Sequence, residues 1–249
     1  MKYYCKLKDS AAFRHEEQSF VAEGLKLCLD IAAHLTPSQV FFTEHAQETA
    51  TTLSGEAFCV TESVAQKLSD VRAPQGLFCV FPMPQIVDNA LEDGSWLLLD
   101  RVQDPANVGA MLRSAAAFGY RGAALSSGSA DVFSPKALRA SMGAAVKLHI
   151  IENCDFAKAI PLLKSRGALT LAACLEDSVP LHSISHGTRS TALLIGNEGQ
   201  GVSEAARALC EACVRIPIAP AIESLNAAVA ASVLLWHFRE SECGNTPAQ

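Results

Sequence analysis

The sequence predicts an α/β protein with a mostly parallel sheet in its larger, C-terminal part and a smaller α/β domain before it. Apolar residues make up 49% of the 249 residues, enough to bury a substantial core in one or two domains. From residue 95 onward, apolar runs typical of buried strands alternate with helix-like segments, as in sheets covered by helices on both faces. Three junctions between such runs carry polar groups, and α/β proteins bind ligands at junctions of this kind.

Residues 1–88 are expected to form the smaller α/β domain. Apolar spacing predicts helices at Phe20–Ala33 and Glu62–Ser69, and aromatic and β-branched runs predict strands at Val40–Thr43 and Gly76–Phe81. Prolines and polar residues between Pro82 and Gly94 then interrupt the pattern, which indicates an interdomain linker.

Residues 89–249 are expected to form the larger domain. Strands are predicted at Trp96–Leu99, Ala123–Leu125, Lys147–Ile151, Leu169–Cys174, Thr191–Ile195 and Cys213–Ile216. Helices are predicted at Asn107–Phe118, Pro135–Met142, Phe156–Ser165, Ser203–Cys210 and Leu225–Phe238. The tail Ser241–Gln249 is expected to be frayed.

Composition points to a cytoplasmic protein without a membrane partner. The segment Met1–Lys6 lacks the apolar core of a signal peptide, and apolar stretches such as Ala227–Trp236 are too short to span a bilayer. The nine cysteines are odd in number and scattered through apolar runs, so they are expected to be reduced. One CxxC pair, Cys210 and Cys213, has no second pair to complete a zinc site, so no metal is expected.

The charge distribution permits nucleic-acid binding only locally. A net charge of −6 disfavours a protein that holds nucleic acid by bulk electrostatics. Between Arg101 and Lys147, however, six basic residues stand against two acidic ones. A basic patch on an acidic protein is therefore compatible with the sequence.

The three polar junctions are Asp104–Gly109, which leads to Arg113, the glycine-rich turn Ile195–Gly201, and Ile216–Asn226. No GxGxxG follows the first strand of the second domain, and no GxxxxGK[ST] occurs anywhere in the chain. These absences disfavour a standard dinucleotide or nucleoside-triphosphate site. An enzyme of another class with a nucleotide cofactor on a conventional doubly wound sheet is therefore a poor alternative.

Each junction also has a purely structural interpretation. Gly196, Gly199 and Gly201 could serve an ordinary turn. Asn107 could cap the helix that follows it, and Ser224 or Asn226 could cap the last helix, with Ser224 as a strong cap residue. Arg113 lies in an otherwise apolar helix, where its guanidinium could reach solvent or face an anionic substrate.

The combination of motifs is more specific than any one of them. The runs LLLDRVQDPANVGAMLRSAAAFG, LLIGNEGQG and RIPIAPAIESLNAAVAASVLL resemble, in order, the three motifs of the SpoU (TrmH-like) RNA ribose 2′-O-methyltransferases. DVFSPKALRASMGA resembles a further stretch of that family, and SFVAEGLKL and QGLFCVFP look like parts of the substrate-binding domain that many members carry. The resemblance covers nearly the whole chain.

The resemblance implies a trefoil knot at the C-terminal end of the sheet, a pocket for S-adenosylmethionine, and a homodimer whose site is completed across the interface. Catalytic roles are implied for Asn107, Arg113, Glu198, Ser224 and Asn226. Cofactor contacts are implied for Gly196, Asn197, Gly201, Ile216, Leu225 and Asn226, and RNA contacts for Lys136 and Arg139.

The implied reaction is attack of a ribose 2′-hydroxyl on the sulfonium methyl group. Because a guanidinium is a poor base, we assign Arg113 to electrostatic stabilisation of the developing alkoxide. The proton acceptor is left open between Glu198 and the substrate phosphate. Ribosomal RNA is favoured over transfer RNA, because the additional N-terminal domain suits a large structured substrate.

Two positions depart from the family pattern. Ala110 stands where many members have threonine, and Pro220 stands where glycine is frequent, so a cofactor contact through that amide would be lost. The remaining alternative is a non-catalytic RNA-binding assembly factor of the same ancestry. Retention of Arg113, Glu198 and Asn226 argues against it.

Overall fold

The computed structural model describes residues 1–84 and 91–239. The chain divides into two compact units, Met1–Gln85 with Asp131–Lys147, and Ile86–Ala130 with Leu148–Gln249. The predicted domain boundary at residue 88 lies outside the described residues, as do the tail Ser241–Gln249 and residues 85–90 of the expected linker. The boundary therefore stays a prediction.

The first unit contains a four-stranded mixed sheet in the order β1-β4-β2-β3. The strands are β1 Ser19–Glu23, β2 Gln39–Phe42, β3 Glu56–Cys59 and β4 Leu77–Pro82. The helices are α1 Lys2–Asp9, α2 Ala11–Glu17, α3 Leu25–Ala32, α4 Gln47–Ala50, α5 Glu62–Leu68 and α7 Pro135–Ser141. β2 and β3 pair in parallel, whereas β4 is antiparallel to both β1 and β2.

The segment 131–147 belongs to the first unit through specific contacts. Arg14, which is only 4% exposed, donates to the Asp131 carboxylate from Nε at 2.8 Å and from Nη2 at 2.5 Å. Phe133 packs on Phe20 with ring centroids 5.1 Å apart. A buried ion pair of this kind is costly to break from one side, because the other charge is left without a partner.

The helix predicted over Phe20–Ala33 is wrong in its first part. Ser19–Glu23 forms strand β1, in which Phe20 is fully buried and stacks on Phe81 of β4. Gly24 then adopts φ +103°, a conformation that L side chains rarely adopt, and α3 begins at Leu25. The apolar spacing that suggested one helix arises from a buried strand followed directly by an amphipathic helix.

The second unit contains a seven-stranded, wholly parallel sheet in the order β7-β6-β5-β10-β8-β11-β9. The strands are β5 Trp96–Asp100, β6 Gly122–Leu125, β7 His149–Ile151, β8 Leu169–Ala173, β9 Val179–Pro180, β10 Thr191–Gly196 and β11 Ala212–Arg215. The helices are α6 Pro105–Ala117, α8 Phe156–Ser165, α9 Glu204–Arg207 and α10 Ala227–His237. The parallel sheet predicted from the sequence is confirmed.

The central strands β5 and β10 explain why the parallel sheet could be predicted from the sequence. Every residue of β5 and of β10 is buried, so both strands are continuous apolar runs rather than alternating ones. α9 is shorter than the predicted helix Ser203–Cys210. Within residues 1–84 and 91–239, no helix is both long and apolar enough to cross a bilayer.

Candidate active site

The site lies where the neighbouring strands β5 and β10 end. Gly196, the last residue of β10, is in register with Asp100, the last residue of β5. The chain leaves β5 towards α6, and it leaves β10 into a turn at Asn197–Gly201. Because the carboxyl ends of parallel strands lie on one edge of the sheet, the first two polar junctions are side by side.

Asn107 does not cap α6, contrary to the structural interpretation drawn from the sequence. The cap is Asp104, whose side chain accepts a hydrogen bond from the amide of Ala106 at 3.1 Å, and Pro105 occupies the first turn. Asn107 is therefore the third residue of the helix, and its side-chain amide is available for other partners.

Of the two residues that could cap the last helix, Asn226 does so and Ser224 does not. The cap of α10 is Asn226, whose Oδ1 accepts from the amides of Ala228 at 2.9 Å and Val229 at 3.2 Å. Ser224 lies two residues earlier and is exposed. Because Oδ1 of Asn226 is held by the helix, its Nδ2 group must point away from the helix as a donor.

This cap orients a chain of side-chain amides. Nδ2 of Asn226 donates to Oδ1 of Asn107 at 3.2 Å, and Nδ2 of Asn107 donates to Oε1 of Glu198 at 2.7 Å. Residues from all three junctions are thus joined by hydrogen bonds. Among the described residues, none donates to Oε2 of Glu198, so this oxygen is available as an acceptor.

The turn after β10 is organised by Asn197 and by a close backbone approach. Oδ1 of Asn197 accepts from the amides of Gly199 and Gln200, and its main chain pairs with Gly201 through two hydrogen bonds of 3.1 and 2.8 Å. A Cβ on Gly196 would lie 2.2 Å from main-chain atoms of Gly201 and Val202. Gly196 is therefore required so that the turn can fold back onto the end of the strand.

A cavity of about 760 Å³ lies against this turn and the approach to α10. The predicted site residues that line it are Gly196, Asn197, Glu198, Gly201, Ile216, Ser224, Leu225 and Asn226. Apolar side chains of Ile195, Ile218 and Leu234 line it as well. The cavity thus brings together all the residues expected to contact the cofactor.

Pro220 occupies a position that suits proline. The amide of Ile222 donates to the carbonyl of Ala219 at 3.0 Å, so Pro220 follows the first residue of a tight turn. Proline is favoured there because its fixed φ fits the turn and its missing N–H is not needed. The departure at this position is therefore compatible with the local backbone.

Four predicted residues are not among those that line the cavity: Asn107, Arg113, Lys136 and Arg139. Asn107 is joined to two of the lining residues by hydrogen bonds. Arg113 is exposed on α6, and no hydrogen bond or ion pair joins it to any described residue. Lys136 and Arg139 belong to α7 of the first unit, where Lys136 is exposed and Arg139 pairs with Asp70 at 2.6 Å. The charge of Arg139 is thus partly offset by a carboxylate.

Sequence reasoning missed several residues of the site. Glu176, which follows β8, Arg207 of α9 and Arg215 of β11 line the cavity. Asp100 and Arg101 adjoin the turn that carries Glu198. Asp100 and Arg101 lie within the first motif, but their side-chain partners are about 100 positions away in the chain. Spacing along the sequence therefore carried no signal for these contacts.

The thiols beside the cavity are partly buried. Burial, followed by the neighbouring Cys213 thiol, raises the pKa of Cys174 to about 11, and burial raises the pKa of Cys210 to about 12. The eight described cysteines are all free. Cys210 follows α9, whereas Cys213 lies in β11, and an incidental role for this CxxC sequence stays a prediction.

Two family models match the chain. The SpoU rRNA Methylase family matches residues 95–236, and the MRM3-like substrate binding domain matches residues 1–79. Among curated relatives, the 23S rRNA (guanosine(2553)-2′-O)-methyltransferase RlmP of Bacillus subtilis is 31% identical over 74% of this chain and 73% of its own.

Solved structures match nearly the whole chain. A putative RNA methyltransferase of the TrmH family from Porphyromonas gingivalis superposes with a TM-score of 0.85 at 32% identity, over 96% of both chains. The SpoU methyltransferase AviRb from Streptomyces viridochromogenes, solved in complex with the cofactor AdoMet, gives a TM-score of 0.85 at 25% identity, over 95% of both chains.

Proposed function

The chain belongs to the SpoU rRNA methylase family, and we propose that it transfers the methyl group of S-adenosylmethionine to a ribose 2′-hydroxyl of ribosomal RNA. The observation that carries the proposal is the hydrogen-bonded chain from Asn226 through Asn107 to Glu198, beside a cavity of cofactor size. A non-catalytic relative would have no need to keep a free carboxylate oxygen oriented in this way.

The cavity fits S-adenosylmethionine in size and lining. Its volume of about 760 Å³ lies within the range of roughly 300–1,000 Å³ that is common for small-molecule sites. Ile195, Ile216 and Leu225 provide apolar walls, and Glu176 and Asn197 provide polar groups. When bound, the cofactor supplies a methyl group already activated on a sulfonium, so the protein must mainly position the groups and accept one proton.

Glu198 is the proton acceptor in this proposal. Its Oε1 is held by Asn107, while Oε2 remains available for the ribose hydroxyl. The α10 cap fixes which atoms of the linked side-chain amides donate and which accept. Because Oδ1 of Asn107 accepts from Asn226, Asn107 presents its Nδ2 donor to the carboxylate. Glu198 is thereby held in place without being neutralised by a cationic side chain.

Arg113 acts on the partner's site. It does not line the cavity of its own chain, and a fixed positive charge is needed where the alkoxide and the RNA phosphate lie. We therefore assign the partner subunit's Arg113 to each cavity. This assignment requires a homodimer whose interface includes the exposed surface of α6.

An exposed apolar face of α10 supports the homodimer. Val229, Val233 and Trp236, which follow one another at helical spacing, are 51%, 37% and 53% exposed. α10 packs on α6, where the hydroxyls of Ser114 and Ser232 lie 2.7 Å apart. Arg113 and Val233 are the chain neighbours of these two serines, so the apolar face and the arginine adjoin the same helix pair. A second copy of the chain is the occupant that would cover this face.

The first unit is proposed to bind the RNA. Lys136, which is exposed there, and Arg139, which also pairs with Asp70, are the proposed phosphate contacts. The acidic overall charge favours recognition of RNA shape over strong phosphate clamping. A cytoplasmic location is part of the proposal, and the free cysteines support a reducing compartment.

Methyl transfer to separate RNA classes tests the proposed function. The protein and labelled S-adenosylmethionine are incubated with RNA from cells lacking the gene. Three kinds of RNA are tested separately: ribosomal RNA, ribosome-assembly intermediates and transfer RNA. We expect label in ribosomal RNA with wild type and with Lys158→Ala, an exposed control, and none with Arg113→Ala. Label in transfer RNA alone would correct the substrate class. Cofactor binding without label in any RNA would favour the assembly-factor alternative.

A further inference from the structure

Asp100 is a buried carboxylate that accepts a hydrogen bond from the C-terminal end of the loop carrying Glu198. It is the last residue of β5 and only 4% exposed. Its Oδ2 accepts from the amide of Ser203 at 2.8 Å, and its Oδ1 accepts from the hydroxyl of Ser126 at 3.2 Å. Burial raises the pKa of Asp100, but hydrogen bonds from Ser203 and the charge of Arg101 outweigh burial, so the pKa lies below its ordinary value. Asp100 is therefore ionised at neutral pH.

Arg101 contacts the N-terminal end of the same loop through its main chain. It adopts φ +56°, in the left-handed region that non-glycine residues disfavour. In this conformation its amide donates to Oγ of Ser126 at 3.0 Å, and its carbonyl accepts from Nδ2 of Asn197 at 2.9 Å. An unfavourable backbone conformation fixed by several partners is a feature that concentrates at functional sites.

The Arg101 guanidinium links Asp100 to the tip of the loop. Its Nε donates to Oδ1 of Asp100 at 3.3 Å, and its Nη1 donates to Oε1 of Gln200 at 3.2 Å. Asp100 and Arg101 together thus contact residues 197, 200 and 203, on both sides of Glu198. We name residues 197–203 the Glu198 loop.

The Glu198 loop needs contacts with residues outside it to be held in one conformation. Four consecutive residues, from Glu198 to Gly201, are exposed, and two of them are glycine. Glycine loses more conformational freedom on ordering than any other residue, so a glycine-rich exposed turn is held weakly by its own contacts. The internal hydrogen bonds of Asn197 shape the turn but do not fix it to the sheet.

We propose that Asp100 and Arg101 are positioning residues for the transfer reaction, which hold the Glu198 loop on the end of the sheet so that Glu198 stays aligned with the cavity. This inference rests on the proposed function, and it concerns two residues that touch neither the cavity nor the amide chain. Arg101 acts through Gln200 and Asn197, and Asp100 acts through Ser203.

Two substitutions at Arg101 separate its main-chain and side-chain roles. Arg101→Gly keeps the positive φ, and with it the carbonyl bond to Asn197, but removes the guanidinium. Arg101→Ala also removes the guanidinium but keeps a Cβ, so the positive φ stays as disfavoured as in the wild type and loses the side-chain contacts that hold it. We expect kcat to fall about 10-fold in Arg101→Gly and further in Arg101→Ala, with KM for the cofactor changed less than about threefold in Arg101→Gly.

A double substitution tests whether Arg101 acts through the loop. Gln200→Ala removes the other half of the contact, so the double variant Arg101→Gly with Gln200→Ala should be scarcely slower than Arg101→Gly alone. Additive losses of kcat would overturn the proposed route. Wild-type kcat in Arg101→Gly would overturn the role of the guanidinium.

Hydrogen exchange of the loop amides provides a readout that does not depend on methyl transfer. The amides of Gly199, Gln200, Gly201 and Ser203 all donate within the described structure, so they should be protected in the wild type. We expect Asp100→Asn and Arg101→Gly to raise their exchange rates by about 10-fold or more, while amides of β5 and β10 remain protected. Unchanged loop exchange would contradict the inference even if the proposed reaction failed. Raised loop exchange in a protein without transferase activity would support the positioning role and reject the proposed function.

Discussion

Asn226 donates from Nδ2 to Oδ1 of Asn107 at 3.2 Å, across 119 positions of the chain. The same residue caps α10 through its Oδ1. One side chain therefore sets the start of the last helix and the direction of the hydrogen bonds that reach Glu198. Helix capping and the site chemistry are coupled at this residue.

Asn226→Ser separates these two roles. Serine is also a strong N-cap residue, so the helix should start normally and the melting temperature should change little. The Nδ2 donor is lost, however, and Asn107 is free to turn its amide away from Glu198. We expect kcat to fall roughly 10- to 100-fold, less than most of the about 10²- to 10⁴-fold that a general base contributes, because Glu198 itself is retained.

Asn226→Ala is the matched comparison, because it removes both the cap and the donor. It should lose a similar factor in kcat and about 1 kcal/mol of stability in addition. Steady-state kinetics and thermal unfolding of both variants measure the two effects. Full activity in Asn226→Ser would show that the amide chain is not required.

Gly196→Ala should disrupt the turn after β10. The added Cβ would lie 2.2 Å from main-chain atoms of Gly201 and Val202, and backbone atoms cannot yield as a flexible side chain can. We expect loss of cofactor binding in isothermal titration calorimetry. Gly199→Ala is the control, because its Cβ would meet only Oδ1 of Asn197 at 3.6 Å, an ordinary contact. Equal binding by both variants would contradict the close approach at Gly196.

Mixing two impaired variants tests the assignment of Arg113 to the partner's site. Arg113→Ala subunits keep Asn226, and Asn226→Ser subunits keep Arg113. In a mixed dimer, one of the two sites would then combine an intact cavity with the partner subunit's Arg113. We expect refolded or co-expressed mixtures to recover about a quarter of wild-type activity, since random pairing makes half of the dimers mixed. No recovery in mixtures shown to contain mixed dimers would place Arg113 and Asn226 in the same subunit's site.

Alkaline pH should destabilise the protein through its partly buried thiols. The pKa is raised by burial to about 11 for Cys154 and Cys174 and to about 12 for Cys210. Each folded-state pKa exceeds the ordinary value, so the stabilising contribution is complete below about pH 9 and is lost as the pH rises towards about 11–12. Urea unfolding between about pH 7 and pH 10.5 should show a falling midpoint, and Cys210→Ala should flatten the fall. Cys59→Ala, at an exposed position, should leave its slope unchanged.

The sequence predicted the sheet of the second unit well because the signal lies in local composition. β5 and β10 are buried along their whole length, and such strands are continuous apolar runs that need no long-range information. Phe20–Ala33 was misread because a buried strand next to an amphipathic helix imitates a longer helical pattern. The trefoil knot implied by the resemblance stays a prediction.

The site was predictable in membership but not in geometry. The motifs identified Asn107, Glu198 and Asn226. For the caps, however, the sequence offered Asn107 instead of Asp104 for α6, and it did not decide between Ser224 and Asn226 for α10. A cap depends on where the backbone leaves the helical conformation, and several residues near a helix start can supply a suitable oxygen. The contacts of Arg101 with Asn197 and Gln200 depend on a positive φ at Arg101, which cannot be predicted from the identity of the residue.

The position of the transferred methyl group tests the central claim most directly. RNA labelled by the enzyme from methyl-labelled S-adenosylmethionine is hydrolysed in alkali, which cleaves a phosphodiester only where the neighbouring 2′-hydroxyl is free. Ribose 2′-O-methylation predicts that the label is recovered in alkali-resistant dinucleotides, and that it is strongly reduced when the enzyme carries Asn226→Ser. Label recovered in mononucleotides would place the methyl group on a base and contradict the proposed reaction.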